Sequence, residues 1–99
     1  EPYPNGLVPF TPLFDVYFSP VETKGAIAIS MRIDPKVCAP ENFDKLVLYA
    51  YDPDSGWAPV KEAKKSADQM SISALDFDVR NYVVLGPKEA QLAPPQMLP

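Results

Sequence analysis

KLVLYAYDPDSGWAPV, residues Lys45 to Val60, is the stretch that decides the fold. Leu46, Val47, Leu48, Tyr49, Ala50 and Tyr51 favour a strand, and Trp57 and Val60 resume one after the interruption Asp52-Pro53-Asp54-Ser55-Gly56. Proline presets φ and glycine tolerates positive φ, so the five residues between are turn chemistry and the whole segment predicts a β-hairpin. Its first strand is apolar on both faces: Leu46, Leu48 and Ala50 on one, Val47, Tyr49 and Tyr51 on the other. A strand of that kind sits in the middle of a sheet or carries a binding face on its outer side.

On the N-terminal side, Ala26 to Ile33 alternates most cleanly, with Ile27, Ile29, Met31 and Ile33 set against Ala28, Ser30 and Arg32. Leu13 to Val21 alternates as well, with Phe14, Val16 and Phe18 opposite Asp15, Tyr17 and Ser19, until Pro20 and the run ending at Gly25 stop it. The link DPKVCAPENFD, residues 34–44, is a proline-broken connection under which Val37, Cys38 and Phe43 tuck. Beyond the hairpin, residues 61–69 (KEAKKSADQ) lack an apolar face and predict a polar loop, with Lys61, Lys64 and Lys65 as a solvated rim. Two further strands follow, from Met70 to Leu75 and from Arg80 to Gly86, joined by a corner at Asp76-Phe77-Asp78 whose carboxylates predict surface solubilising groups.

The strand series therefore runs 14–19, 26–33, 45–51, 57–62, 69–75 and 80–86, with an edge piece near 88–93. Six to seven short strands without a helix predict an all-β, antiparallel two-sheet sandwich. Thirteen prolines in 99 residues argue against long helices in any case. The expected organisation is a proline-rich N-terminal arm at 1–12, extended rather than ladder-forming, a single sandwich domain at 13–93 and a proline-rich tail at 94–99. Such ends suit a module cut from a longer chain.

Over residues 13–93 the chain resembles the fibronectin type III domain and its immunoglobulin-like relatives. The resemblance is carried by a second strand ending in Asp34-Pro35, the tyrosine-bearing third strand LVLYAY, Trp57 just after the turn, and SISALDFDVRNYVVL leading through Leu75 to Tyr82. In that family a leucine precedes a tyrosine by six residues and the tyrosine hydroxyl bonds back across a corner; here the interval from Leu75 to Tyr82 is seven, and Met31 stands where the family places a tryptophan. The resemblance implies a two-sheet sandwich and does not fix a function.

Composition narrows the partners. Nine basic residues scattered among 13 acidic ones give a net charge of −4, without the concentrated positive face a nucleic-acid backbone requires. No apolar run reaches the roughly 20 residues of a membrane-crossing helix. Cys38 has no second cysteine to pair with and no histidine to act as its base, so it predicts a buried filler rather than a nucleophile. The Asp-x-Asp-x-Gly spacing at Asp52 is shared with calcium loops, but the sixth and twelfth loop positions, glycine and glutamate in an EF-hand, fall on Trp57 and Ala63. No metal ligand set, cofactor or catalytic residue is implied, and the chain is expected not to be an enzyme.

The function expected is that of a non-catalytic structural or protein-interaction module of a larger surface, secreted or particle-associated protein, with an extracellular or cell-surface location. Its partners would be another protein, neighbouring domains of the same chain, or a second copy joined through the first strand's edge or the arms. The alternative is a carbohydrate-binding module in which Tyr49, Tyr51 and Trp57 stack on a glycan. An enzyme inhibitor is a further alternative.

Overall fold

A computed structural model describes residues 3–11, 26–76 and 80–95, and the backbone alone of 17–20. The faces expected for Leu13–Val21, together with Asp78 and residues 96–99, lie outside the described residues. Eight strands are described: β1 (Leu7–Pro9), β2 (Tyr17–Pro20), β3 (Ile27–Arg32), β4 (Val47–Asp52), β5 (Gly56–Pro59), β6 (Lys64–Ser66), β7 (Ser71–Asp76) and β8 (Tyr82–Pro87), with short 3-10 helices at Pro40–Lys45 and Lys88–Ala90. All pairings between them are antiparallel.

The strands form two sheets, in the orders β1-β8-β4-β5 and β2-β3-β7-β6, and make an all-β sandwich. The expected hairpin is β4–β5, with Tyr51 opposite Trp57 and Asp52 opposite Gly56. Asp52 Oδ1 accepts from the Asp54 amide at 2.8 Å, and Gly56 closes the turn at φ +80°. A β-carbon at Gly56 would meet nothing within 4 Å, so glycine is needed there for its backbone angle alone.

Between the sheets lies one core. Leu46, Leu48, Ala50, Tyr82 and Val84 enter it from the first sheet, and Ile29, Met31, Ile72 and Ala74 from the second. Each large side chain moved out of water contributes about 1.5–3 kcal/mol before entropy is counted. Met31, at the expected tryptophan position, is fully buried. Val37, Cys38 and Phe43 tuck under the proline connection as its sequence suggests, and all three are buried.

At Gly86 the core closes directly on the backbone of β8. A β-carbon there would stand 2.5 Å from Leu46 Cδ2 and 2.9 Å from Phe10 Cε1, so the absence of a side chain on β8 is what lets both rows of side chains close over it.

Three expectations are corrected. The segment 1–12 is not only an extended arm: Leu7, Val8 and Pro9 pair with Pro87, Gly86 and Leu85, Phe10 is buried in the core, and its amide donates to the Val84 carbonyl at 2.8 Å. An edge strand leaves alternate amides unpaired, so Pro9 is tolerated in this ladder. The polar stretch 61–69 contains β6, which extends the second sheet by pairing Lys64, Lys65 and Ser66 with Ser73, Ile72 and Ser71. The piece near 88–93 is a 3-10 turn followed by an isolated bridge between Cys38 and Gln91, not an edge strand.

Candidate functional site

Period-two geometry sends Leu46, Leu48 and Ala50 inward and leaves Val47, Tyr49 and Tyr51 on the outer face of the first sheet. Register then puts Trp57 beside Tyr51 and Pro59 beside Tyr49 on that face, and Val83 and Leu85 of β8 beside Tyr49 and Val47. All three residues expected to bind are therefore brought to one surface. Tyr49, Tyr51 and Trp57 are half-buried, and Val47 is 39% exposed.

The rings do not form a plane. Tyr51 and Trp57 meet edge to face, with centroids 5.2 Å apart and planes at 63°. Tyr3 also packs against the indole, at 5.4 Å and 49°. Edge-to-face contact is the arrangement that ring quadrupoles favour, so Tyr51 and Trp57 are a cross-strand pair held by packing and not a flat shelf. Among the described residues, the indole Nε1 is buried without a hydrogen-bond partner. A buried donor left unpaired costs about 1–3 kcal/mol.

Tyr3 was not among the residues singled out by sequence. It reaches the cluster because Pro4-Asn5-Gly6-Leu7 forms a β-turn, closed by the Leu7 amide on the Pro4 carbonyl at 3.1 Å with Gly6 at φ +80°. The turn folds the chain ahead of β1 back onto the outer face, and burial raises the Tyr3 phenol above its usual pKa. β1 and β5 are opposite edges of the sheet, so this contact spans the face over β8 and β4. The signal available in the sequence was the turn dipeptide Asn5-Gly6 beside a proline-flanked aromatic.

Beside Tyr51 the face opens into a cleft of about 270 Å3 lined by Tyr51, Pro53, Arg80 and Asn81. Arg80 is fixed there by Asp76, whose Oδ2 accepts from Arg80 Nε at 2.9 Å and Nη2 at 2.8 Å. The same oxygen accepts from the Tyr82 hydroxyl at 2.5 Å. Asp76 is therefore no solubilising group, as its sequence suggested, but the acceptor that closes the corner between β7 and β8. The residue six positions before Tyr82 is Asp76, and a carboxylate side chain answers the hydroxyl from that position. Leu75, one residue earlier, is 55% exposed. Burial, and then the bond to Asp76, push the Tyr82 phenol up to about 12, and the same carboxylate raises Arg80.

The opposite outer face differs in kind. Register gathers Ala28, Ser30 and Arg32 of β3, Ser71, Ser73 and Leu75 of β7, and Lys64 and Ser66 of β6 on it. A depression of about 490 Å3 between β6 and β7 is lined by Lys61, Glu62, Lys64 and Leu75 among others, with charges of both signs at its rim. Cys38 is fully buried, donates to the Ala39 carbonyl at 3.4 Å, and has its thiol raised by burial and then by Glu41. Among the described residues no three His, Cys, Asp or Glu side chains gather to hold a metal, and no helix is long and apolar enough to cross a membrane.

No protein-family model matches the chain, and neither a curated protein nor a solved structure matches it. The functional reading accordingly rests on the two faces themselves.

Proposed function

We propose that the chain is a non-catalytic protein-interaction module of the fibronectin type III or immunoglobulin-like kind, and that it docks its partner on the outer face of the β1-β8-β4-β5 sheet. The observation that carries the reading is that Val47, Tyr49, Tyr51 and Trp57 stand together on that face, partly open to water. Aromatic residues of this kind supply most of the energy at protein interfaces, because they bury a large area at low entropic cost. Strand order supports the family part of the reading. The order β2-β3-β7-β6 follows the A-B-E-D sheet of immunoglobulin constant domains, and the neighbours β4 and β8 follow strands C and F, with β1 in the place of the last strand.

Glycan stacking calls for rings presented broadside, whereas planes at 63° and 49° present a ridge. Probing arrays of folded proteins and of glycans with the full chain, and with the variants Tyr51→Glu and Val47→Lys, separates the two. Protein ligands that lose about tenfold or more in affinity on either substitution are expected, and for Val47→Lys, at the exposed position, melting should change little. Capture by glycans alone, or protein binding indifferent to both substitutions, would overturn the reading.

A further inference from the structure

Two features of the aromatic cluster point to the chemistry of its ligand. The first is the unsatisfied donor: Trp57 Nε1 is buried, and no acceptor among the described residues reaches it. The second is what lies against the indole. Tyr3 is preceded by Pro2 and followed by Pro4 in the sequence, and its ring packs 5.4 Å from the indole in the fold. The cluster is thus contacted by a proline-flanked segment of its own chain that leaves the indole donor unused.

Proline-rich segments favour the polyproline II conformation, whose carbonyls make no internal hydrogen bonds and whose three-fold cross-section presents ridges. Ridged aromatic surfaces receive such segments at low entropic cost, since the ligand is already extended. The ring of Tyr51, inclined at 63° to the indole, makes a stepped rather than flat surface for proline rings once Tyr3 has moved away, and Nε1 is the donor a free peptide carbonyl requires.

We infer that the Tyr51–Trp57 pair is a docking site for a proline-rich polyproline II segment of another chain, with Trp57 Nε1 donating to a ligand carbonyl and the chain's own Tyr3 segment covering the indole until displaced. The inference rests on the docking face proposed above and names its ligand. A self-docked segment lowers the apparent affinity by the fraction of time the site is covered, so removing Tyr3 should tighten binding.

The test uses the full chain, unsubstituted and as Tyr3→Ala, titrated with a capped decaproline peptide and with a glycine-serine peptide of the same length. Trp57 is the only tryptophan, so both its emission and its indole N–H resonance report on this site alone. Saturable binding of decaproline but not of the glycine-serine peptide, a downfield move of the indole N–H, and a several-fold tighter Kd for Tyr3→Ala are expected. Trp57→Phe keeps an aromatic ring and removes the donor, and calorimetry should show binding weakened about fivefold. Absence of saturable decaproline binding to Tyr3→Ala, equal binding of the control peptide, or indifference to Trp57→Phe would overturn the inference. Folded partners that still depend on Tyr51 while decaproline does not bind would sink the proline assignment and leave the docking face standing; loss of both would remove both.

Discussion

The two outer faces of this sandwich are built from the same alternating geometry and come out opposite in character. On the first sheet, β8 is buried along both faces from Tyr82 to Gly86, so Val83 and Leu85 are as enclosed as the core residues beside them. On the second sheet, β7 alternates buried and open, with Ser71, Ser73 and Leu75 turned outward. A sheet that needs only solubility carries serine and lysine outside, as the second does. The first sheet keeps valine, leucine and aromatic rings outside and lays its own N-terminal segment across them, which gives that face its claim to function.

The comparison breaks most visibly if the same kind of substitution is made on both faces. Val83→Ser removes buried methyls and leaves a hydroxyl in an apolar setting, which should cost about 3 kcal/mol. Leu75→Ser, on the other outer face, should stay within about 0.5 kcal/mol. Denaturant titrations of the two variants measure the difference directly, and equal effects would contradict the asymmetry.

Next in size is the corner that ties the two sheets together. The Tyr82 phenol is neutral in the fold and held up to about 12, above its ordinary value near 10. Its contribution is therefore complete below about pH 10 and is lost as pH climbs from there toward 12, on the order of 2–3 kcal/mol in all. Stability measured across that interval should fall in the unsubstituted chain and fall less in Tyr82→Phe. At neutral pH the same substitution removes a hydrogen bond to a carboxylate and should cost about 1.5–3 kcal/mol.

A smaller effect is expected at the junction of β1 with β8. The Thr11 hydroxyl accepts from the Val84 amide at 3.0 Å, and Thr11 is buried. Thr11→Val keeps the shape and strands that amide, at a cost of about 1–2 kcal/mol by thermal melting. The smallest of the series is Gly56→Ala, where only the φ of +80° resists a side chain, and about 1 kcal/mol is expected.

The legibility of these features in the sequence was uneven for physical reasons. Ile29, Met31 and Ile33 declared an inner face because alternation and burial coincide there. The hairpin declared itself through Asp52-Pro53-Asp54-Ser55-Gly56, in which every residue suits a turn. β1 was hidden by Pro9, since proline argues against a ladder except at an edge, and edge position is a tertiary fact. β6 was hidden because three residues without apolar alternation carry no periodic signal. The left-handed residues on either side of it, Glu62 at φ 59° and Met70 at φ 49°, are not the glycines that announce such backbone. Tyr49, Tyr51 and Trp57 were legible as an aromatic set, whereas Tyr3 was not, because its place depends on a turn that returns the chain across β8 and β4. Asp76 was misread for a similar reason: its partners Arg80 and Tyr82 reach it only after the corner has formed.

The most direct measurement is a map of backbone amide and indole shifts on the 15N-labelled full chain as a protein ligand from the arrays is added. The docking account predicts shifts concentrated at Val47, Tyr49, Tyr51 and Trp57, with Ser30, Ser71, Ser73 and Leu75 unmoved. Shifts centred on the serine face, with the Trp57 indole unchanged, would contradict it.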